Sequence, residues 1–102
     1  MKLYQYARLI RGKNAGPYVM TIDILFETQE NYQHVIGSGI LTNALIAELY
    51  EVPVEQVERY ESPLAQALKF SFPRKVPVGD FWEMDLFGGQ MHAPLVNIEI
   101  PD

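Results

Sequence analysis

The 102-residue chain contains 13 acidic and 8 basic residues, has a formal net charge of −5, and contains no cysteine. Its cysteine-free composition excludes a disulfide framework and thiolate-ligated zinc, and its acidity argues against nucleic acid as a partner, because phosphates need a basic face. An apolar content of 48% is ordinary for a globular protein, and the length predicts a single domain over residues 1–102.

The start of the chain, Met1 to Gln5, lacks the apolar segment of a signal peptide. No apolar run approaches the roughly 20 residues that span a bilayer. We therefore expect a cytoplasmic protein with no membrane partner.

The first predicted element is a helix from about Leu3 to Arg11. Gly12 and Gly16 follow, where a helix can end in a left-handed turn, and Pro17 cannot continue it. The apolar residues that recur at helical spacing are Leu3, Tyr6, Ala7 and Ile10.

The remaining elements alternate between strand and helix patterns. Val19 to Phe26 predicts a strand that is covered on one side, because apolar residues dominate one of its faces. Thr28 is a candidate helix N-cap, and Gly37 ends that second helix. The other predictions are a helix from Leu41 to Tyr50, a helical turn within Val52 to Val57, and strands from Glu58 to Glu61, Ala65 to Phe72 and Leu95 to Ile100.

This order of elements predicts an α+β fold. We expect two layers, with the helices packed on one face of a small, mainly antiparallel sheet. A long irregular loop from Pro73 to Pro94 precedes the C-terminal strand. Irregular loops longer than about 15 residues are uncommon in compact domains and are usually functional or mobile.

A candidate anion site lies at the turn after the first element. Arg11 and Lys13 supply positive charge, Asn14 supplies an amide, and the neighbouring glycines allow backbone N–H groups to approach a carboxylate or phosphate. A structural role is the alternative, because cations at a helix C-terminus offset the helix dipole. The glycine spacing does not match a phosphate loop, which needs a strand before it and a helix after it.

The long loop holds the second group of candidate residues. His92 could act as a general acid or base that Asp80 or Asp85 orients, and Gln90 offers an amide for ligand binding. The same histidine and aspartates, with Glu83, could bind a metal, but their spacing is not diagnostic. We assign no metal and no cofactor. A hydrogen-bonded structural histidine is the alternative for His92.

Apolar side chains in this loop support a different interpretation. Aromatic residues and methionine are enriched in protein–protein interfaces, and an exposed apolar patch needs a partner. Alternatively, the loop covers the open face of the sheet. The residues concerned are Phe81, Trp82, Met84, Leu86, Phe87 and Met91.

Two ionisable residues outside these groups stand out. Asp23 lies between two isoleucines of a predicted strand, so it must face solvent, have a shifted pKa, or pair with a cation, for which Arg8, Arg11 and Lys13 are candidates. His34 lies on the polar side of the second helix and is expected at the surface.

Several stretches resemble a small bacterial family of unknown function, whose members accompany or are fused to proteins similar to acyclic terpene utilisation protein A. Gly12 stands where that family has serine, so this position offers no hydroxyl to an anion. The stretches that carry the resemblance are Ala7 to Pro17, Thr21 to Phe26, Ser38 to Thr42 and Gln90 to Leu95.

The resemblance implies a small subunit or accessory domain of a catabolic enzyme that acts on acids or acyl-coenzyme A thioesters. Its partner would be the large acyclic terpene utilisation protein A-like protein, docked through the loop from Val78 to Pro94. Arg11, Lys13 and Asn14 would face a shared site for a small carboxylate or phosphate ligand. A free-standing enzyme using His92, an organic-acid-binding module and a homo-oligomer remain alternatives.

Overall fold

A computed structural model describes residues 1–16, 19–73 and 93–101 of the chain. The fold is α+β, with an antiparallel four-stranded sheet. The helices are α1 (Leu3–Tyr6), α2 (Gln29–Ser38), α3 (Asn43–Tyr50) and α4 (Ala93–Val96), with a 3-10 turn at Val54–Gln56. The strands are β1 (Ala7–Gly16), β2 (Val19–Phe26), β3 (Glu58–Ser62) and β4 (Ala67–Pro73).

The strand order is β1-β2-β4-β3, so β2 and β4 are central and β1 and β3 are the edges. Asp23 in β2 is the register partner of both Arg11 in β1 and Lys69 in β4. Directly opposed residues of antiparallel strands project from the same face of a sheet. These three residues therefore share one face.

Helices cover the other face of the sheet. The ring of Phe26 packs edge-on against Tyr32 of α2, with centroids 5.9 Å apart, and Phe72 packs against Tyr50 of α3 at 4.8 Å. Strand alternation places apolar residues of β2 and β4 on this face. The strand residues buried there are Met20, Ile22, Ile24, Phe26, Leu68, Phe70 and Phe72.

The predicted first helix is wrong beyond its first turn. The helix ends at Tyr6, and the chain continues as the ten-residue strand β1, which pairs with β2 along its length. Pairing with β2 satisfies backbone groups that a helix would leave unpaired on that edge of β2. Tertiary pairing thus overrides a short helical stripe, which is a weak local preference.

The predicted C-terminal strand is also wrong. Residues Ala93–Val96 form a helical turn, and Ile98 N–H donates back to the Leu95 carbonyl. Only one isolated bridge, between Lys2 and Glu99, pairs the described part of this segment with another strand-like segment. Leu95 and Ile100 are nevertheless buried, so their apolar character reflects core packing rather than strand formation.

The other predicted elements are confirmed, with boundary shifts of a few residues. Thr28 caps α2 by accepting the Asn31 N–H, and Thr42 caps α3 by accepting the Leu45 N–H. The second helix ends not at Gly37 but at Ser38, and its C-cap is Gly39, whose φ of 73° is the left-handed conformation that glycine adopts easily. Among the described helices, none is long and apolar enough to cross a membrane.

Candidate functional site

A row of charged residues crosses the sheet face opposite the helices. The Arg11 Nε donates to the Asp23 Oδ2 at 3.3 Å, and the Lys13 Nζ lies 3.9 Å from the same oxygen. Lys69 flanks Asp23 on the β4 side. We call Arg11, Lys13, Asp23 and Lys69 the cationic row.

The cationic row is locally positive on an acidic protein. It holds three cations and one carboxylate, although the whole chain has a net charge of −5. The side chains of Arg11 and Lys13 are 53% and 55% exposed, whereas that of Asp23 is 13% exposed. The two cations are therefore more exposed than the carboxylate that they contact.

Two residues along the strands from Asp23 and Lys69, the paired residues carry hydroxyl groups. Thr21 is the partner of Lys13 in β1 and of Ser71 in β4, and Ser71 is in turn paired with Glu58 in β3. Glu58 accepts a hydrogen bond from the Tyr60 hydroxyl, which raises the pKa of that tyrosine. The face thus changes from cationic at β1 to acidic at β3.

The structure brings together part of the predicted ligand site. Arg11 and Lys13 converge on Asp23, so the structure has the pairing with cations that the sequence left open beside solvent exposure. The backbone of Asn14 lies in β1, opposite Met20. The remaining predicted residues, His92, Asp80, Asp85 and Gln90, lie outside the described residues, as do the apolar residues between Phe81 and Met91. Their roles stay predictions.

Sequence reasoning missed Lys69. The alternation of Leu68, Phe70 and Phe72 in the predicted strand already placed Lys69 on the opposite face. That alternation could not show which strand lies beside it. Only the register of β2 against β4 sets Lys69 beside Asp23.

A second polar group lies at the β3 edge on the helix side. Arg59 donates through Nε to the Leu41 carbonyl at 3.1 Å and pairs with Glu61. The Tyr32 hydroxyl is buried and has no hydrogen-bond partner within the described parts of the chain. Burial raises the pKa of Tyr32, the charge of Glu61 raises it further, and the charge of Arg59 lowers it.

His34 lies on the helix layer, away from the cationic row. Its ring stacks on Tyr6 at 4.9 Å, and its Nε2 lies 2.7 Å from the Pro101 carbonyl, to which it donates. The side chain is partly exposed beside a 370 Å³ groove that Gln33, Ser38 and Pro101 also line. Its contacts are those of a surface residue that packs a chain terminus.

Across residues 1–16, 19–73 and 93–101, no three acidic, histidine or cysteine residues are grouped so that they could hold a metal ion. What the described face offers is positive charge and hydrogen-bond donors arranged across paired strands. Fold and site together define a small α+β domain with a helix-covered face and a cationic face.

The chain belongs to the family described as a domain of unknown function, DUF4387, which matches residues 3–99. No curated protein matches the chain. No solved structure matches it either. The family match covers both edges of the sheet and every residue of the cationic row.

Proposed function

We propose that the protein is a small accessory subunit or domain of a catabolic enzyme whose substrates are organic acids or their acyl-coenzyme A thioesters. The observation that carries the proposal is the convergence of Arg11 and Lys13 on Asp23 across two paired strands. The resemblance of the chain to companions of acyclic terpene utilisation protein A supports the class of enzyme.

The chemistry of the cationic row suits recognition of a carboxylate. A guanidinium and two ammonium groups supply charge-assisted donors, which bind carboxylates and phosphates more strongly than neutral donors do. Asp23 occupies only part of this donor capacity, because one oxygen faces both Arg11 and Lys13. The row can therefore bind the carboxylate of an acid substrate or a phosphate group of an acyl-coenzyme A thioester.

An accessory role fits this face better than catalysis by the described residues. Of the two hydroxyl-bearing residues on this face, Thr21 is buried, and Ser71 lies opposite Glu58, whose carboxylate already accepts a hydrogen bond. His34, the histidine within the described residues, lies on α2 against Pro101. The row can thus hold and orient an acid, while the large partner protein would carry out the reaction.

The test is to purify the chain with its acyclic terpene utilisation protein A-like companion and measure turnover of an acid substrate. Lys13→Ala and Lys69→Ala should each raise the KM about two- to fivefold, the effect of losing one exposed ion pair. Lys2→Ala is the matched control, because Lys2 pairs with Glu99 away from the row, and it should leave the KM unchanged.

Asp23→Asn gives a test of opposite sign. Removing the carboxylate frees both cations, so the KM should fall about two- to fivefold. If the protein does not alter turnover of the companion, or if the row variants and Lys2→Ala behave alike, the proposal is wrong.

A further inference from the structure

We infer that the outer edge of β1 accepts an extended acidic segment of the partner protein, which adds to the sheet as a fifth strand. The inference deepens the proposed accessory role and rests on it. During docking, Arg11 and Lys13 on this edge pair with carboxylates of the partner's side chains, and Lys69 on the central strand β4 stays available to the substrate anion. Three features of the molecule carry the inference, namely the geometry of the edge, its charge, and a groove beside it.

The two edges of the sheet differ in length. β1 has ten residues, whereas β3, the other edge, has five. Within the described residues, β2 is the only strand that pairs with β1, so no described strand occupies the opposite side of β1. An added strand can form a ladder of main-chain hydrogen bonds with such an edge.

The charge of β1 selects the incoming strand. Leu9, Arg11 and Lys13 are the register partners of Leu25, Asp23 and Thr21, so all three share the outer face. Residues of an added strand would lie directly opposite them, about 5 Å away. Carboxylates opposite Arg11 and Lys13 would be paired, whereas lysine or arginine there would be repelled.

A second copy of the chain fits this edge poorly. Symmetric antiparallel pairing of two β1 strands must oppose residues of the same face. Two such registers pair the greatest length of β1. In the first, the two-fold axis passes through Gly12, and Arg11 lies opposite Lys13 of the copy. In the second, the axis passes through Arg11, and this arginine lies opposite Arg11 of the copy. Like charges directly opposite one another destabilise a sheet.

A groove at the start of β1 favours an added strand that also carries an apolar side chain. It has a volume of 230 Å³ and is lined by Tyr4, Ala7, Arg8, Leu9, Ile10 and Val96. Leu9 and Tyr4 are 40% and 52% exposed, so an incoming apolar side chain would find apolar surface there. The segment that fits has two acidic residues at alternate positions, followed two residues later by an apolar residue.

The probe is a capped synthetic peptide in which threonine separates two glutamates and a leucine, in the order Glu-Thr-Glu-Thr-Leu with a threonine at each end. One control peptide has lysine for glutamate. The second keeps both glutamates but has proline for the threonine between them, which removes a main-chain donor without changing the charge. We expect both controls to bind at least tenfold more weakly.

Amide hydrogen exchange shows where the peptide binds. The glutamate peptide should slow exchange of β1 amides between Leu9 and Lys13 at least tenfold, and those of β3 should not change. Leu9→Thr should weaken binding about three- to tenfold. Tyr60→Thr is its matched control, because Tyr60 is an exposed large residue on the other edge strand, and it should bind as the unchanged protein does.

Equal binding of the proline peptide, or binding without protection of β1, would overturn the inference. So would β1 amides that become protected at high protein concentration with no peptide, because a second copy would then occupy the edge. If no peptide binds but Lys13→Ala still raises the KM of the companion enzyme, the inference fails and the proposed function stands.

Discussion

The two faces of the sheet place opposite demands on alternate residues of the same strands. In β2, Ile22 and Ile24 have no exposed surface and pack beneath the helices, whereas Asp23 between them contacts two cations on the other face. In β4, Phe70 and Lys69 differ in the same way. Strand parity therefore separates residues that stabilise the fold from residues available for recognition, except at Thr21, which is buried although it lies on the face of Asp23.

The largest test of this comparison replaces the aromatic ring at the centre of the covered face. Phe70→Ala should lower the free energy of unfolding by about 3–5 kcal/mol, because it removes buried surface and leaves a cavity. Lys69→Ala, its neighbour on the other face, should change it by less than about 0.5 kcal/mol. Urea denaturation of both variants measures this, and similar losses would show that the two faces do not differ in the way described.

Tyr32→Phe tests the polar exception on the covered face. The hydroxyl is buried without a partner in the described residues, so removing it should stabilise the protein by about 1 kcal/mol. Burial raises the pKa of Tyr32 above its ordinary value of 10.0, so the folded state favours the neutral hydroxyl. This contribution to the free energy of unfolding is fully present below pH 10 and is lost as the pH rises from there through the raised pKa. Tyr32→Phe should lose less stability between pH 9 and pH 11. A destabilised variant would mean that the hydroxyl has a hydrogen-bond partner.

A double-mutant cycle sharpens the account of the cationic face. Arg11→Ala and Asp23→Asn should show a coupling energy of about 0.5–1 kcal/mol, typical of an ion pair with one exposed partner. The coupling should shrink in 1 M salt, because exposed charges are screened. A cycle of Arg8→Ala with Asp23→Asn is the control, and equal coupling in both cycles would contradict the assigned pairing.

The smallest expected effect lies at the chain ends, outside both faces. The N-terminal ammonium group, and after it Lys2, hold the pKa of Glu99 below 4.5. The stability from this pair is present above pH 4.5 and is lost as the pH falls through the lowered pKa. Glu99→Gln should therefore flatten the acid limb of a plot of the thermal midpoint against pH. An unchanged acid limb would exclude a contribution from this pair.

Asp23 illustrates how far the candidate site could be predicted. A carboxylate between two isoleucines in an alternating strand had to pair or face solvent, and the nearest cations in sequence were the right candidates. Which of them it contacts depends on the register of β1 against β2. The predicted helix over residues 3–11 pointed Arg11 and Lys13 towards a helix end, whereas their actual alternation in β1 sets both beside Asp23.

Local sequence patterns predicted an element correctly where the burial and hydrogen bonding of that segment follow from its own residues. Periodicity and capping residues located β2, α2, α3, β3 and β4, and the order of elements indicated an α+β fold. Partners distant in sequence decided the rest. β1 is a strand because β2 offers it a pairing edge, the apolar C-terminal segment packs without forming a strand, and Lys69 joins the cationic row through register alone. A local pattern specifies which faces are apolar, but hydrogen bonds between strands form only once the chain has folded.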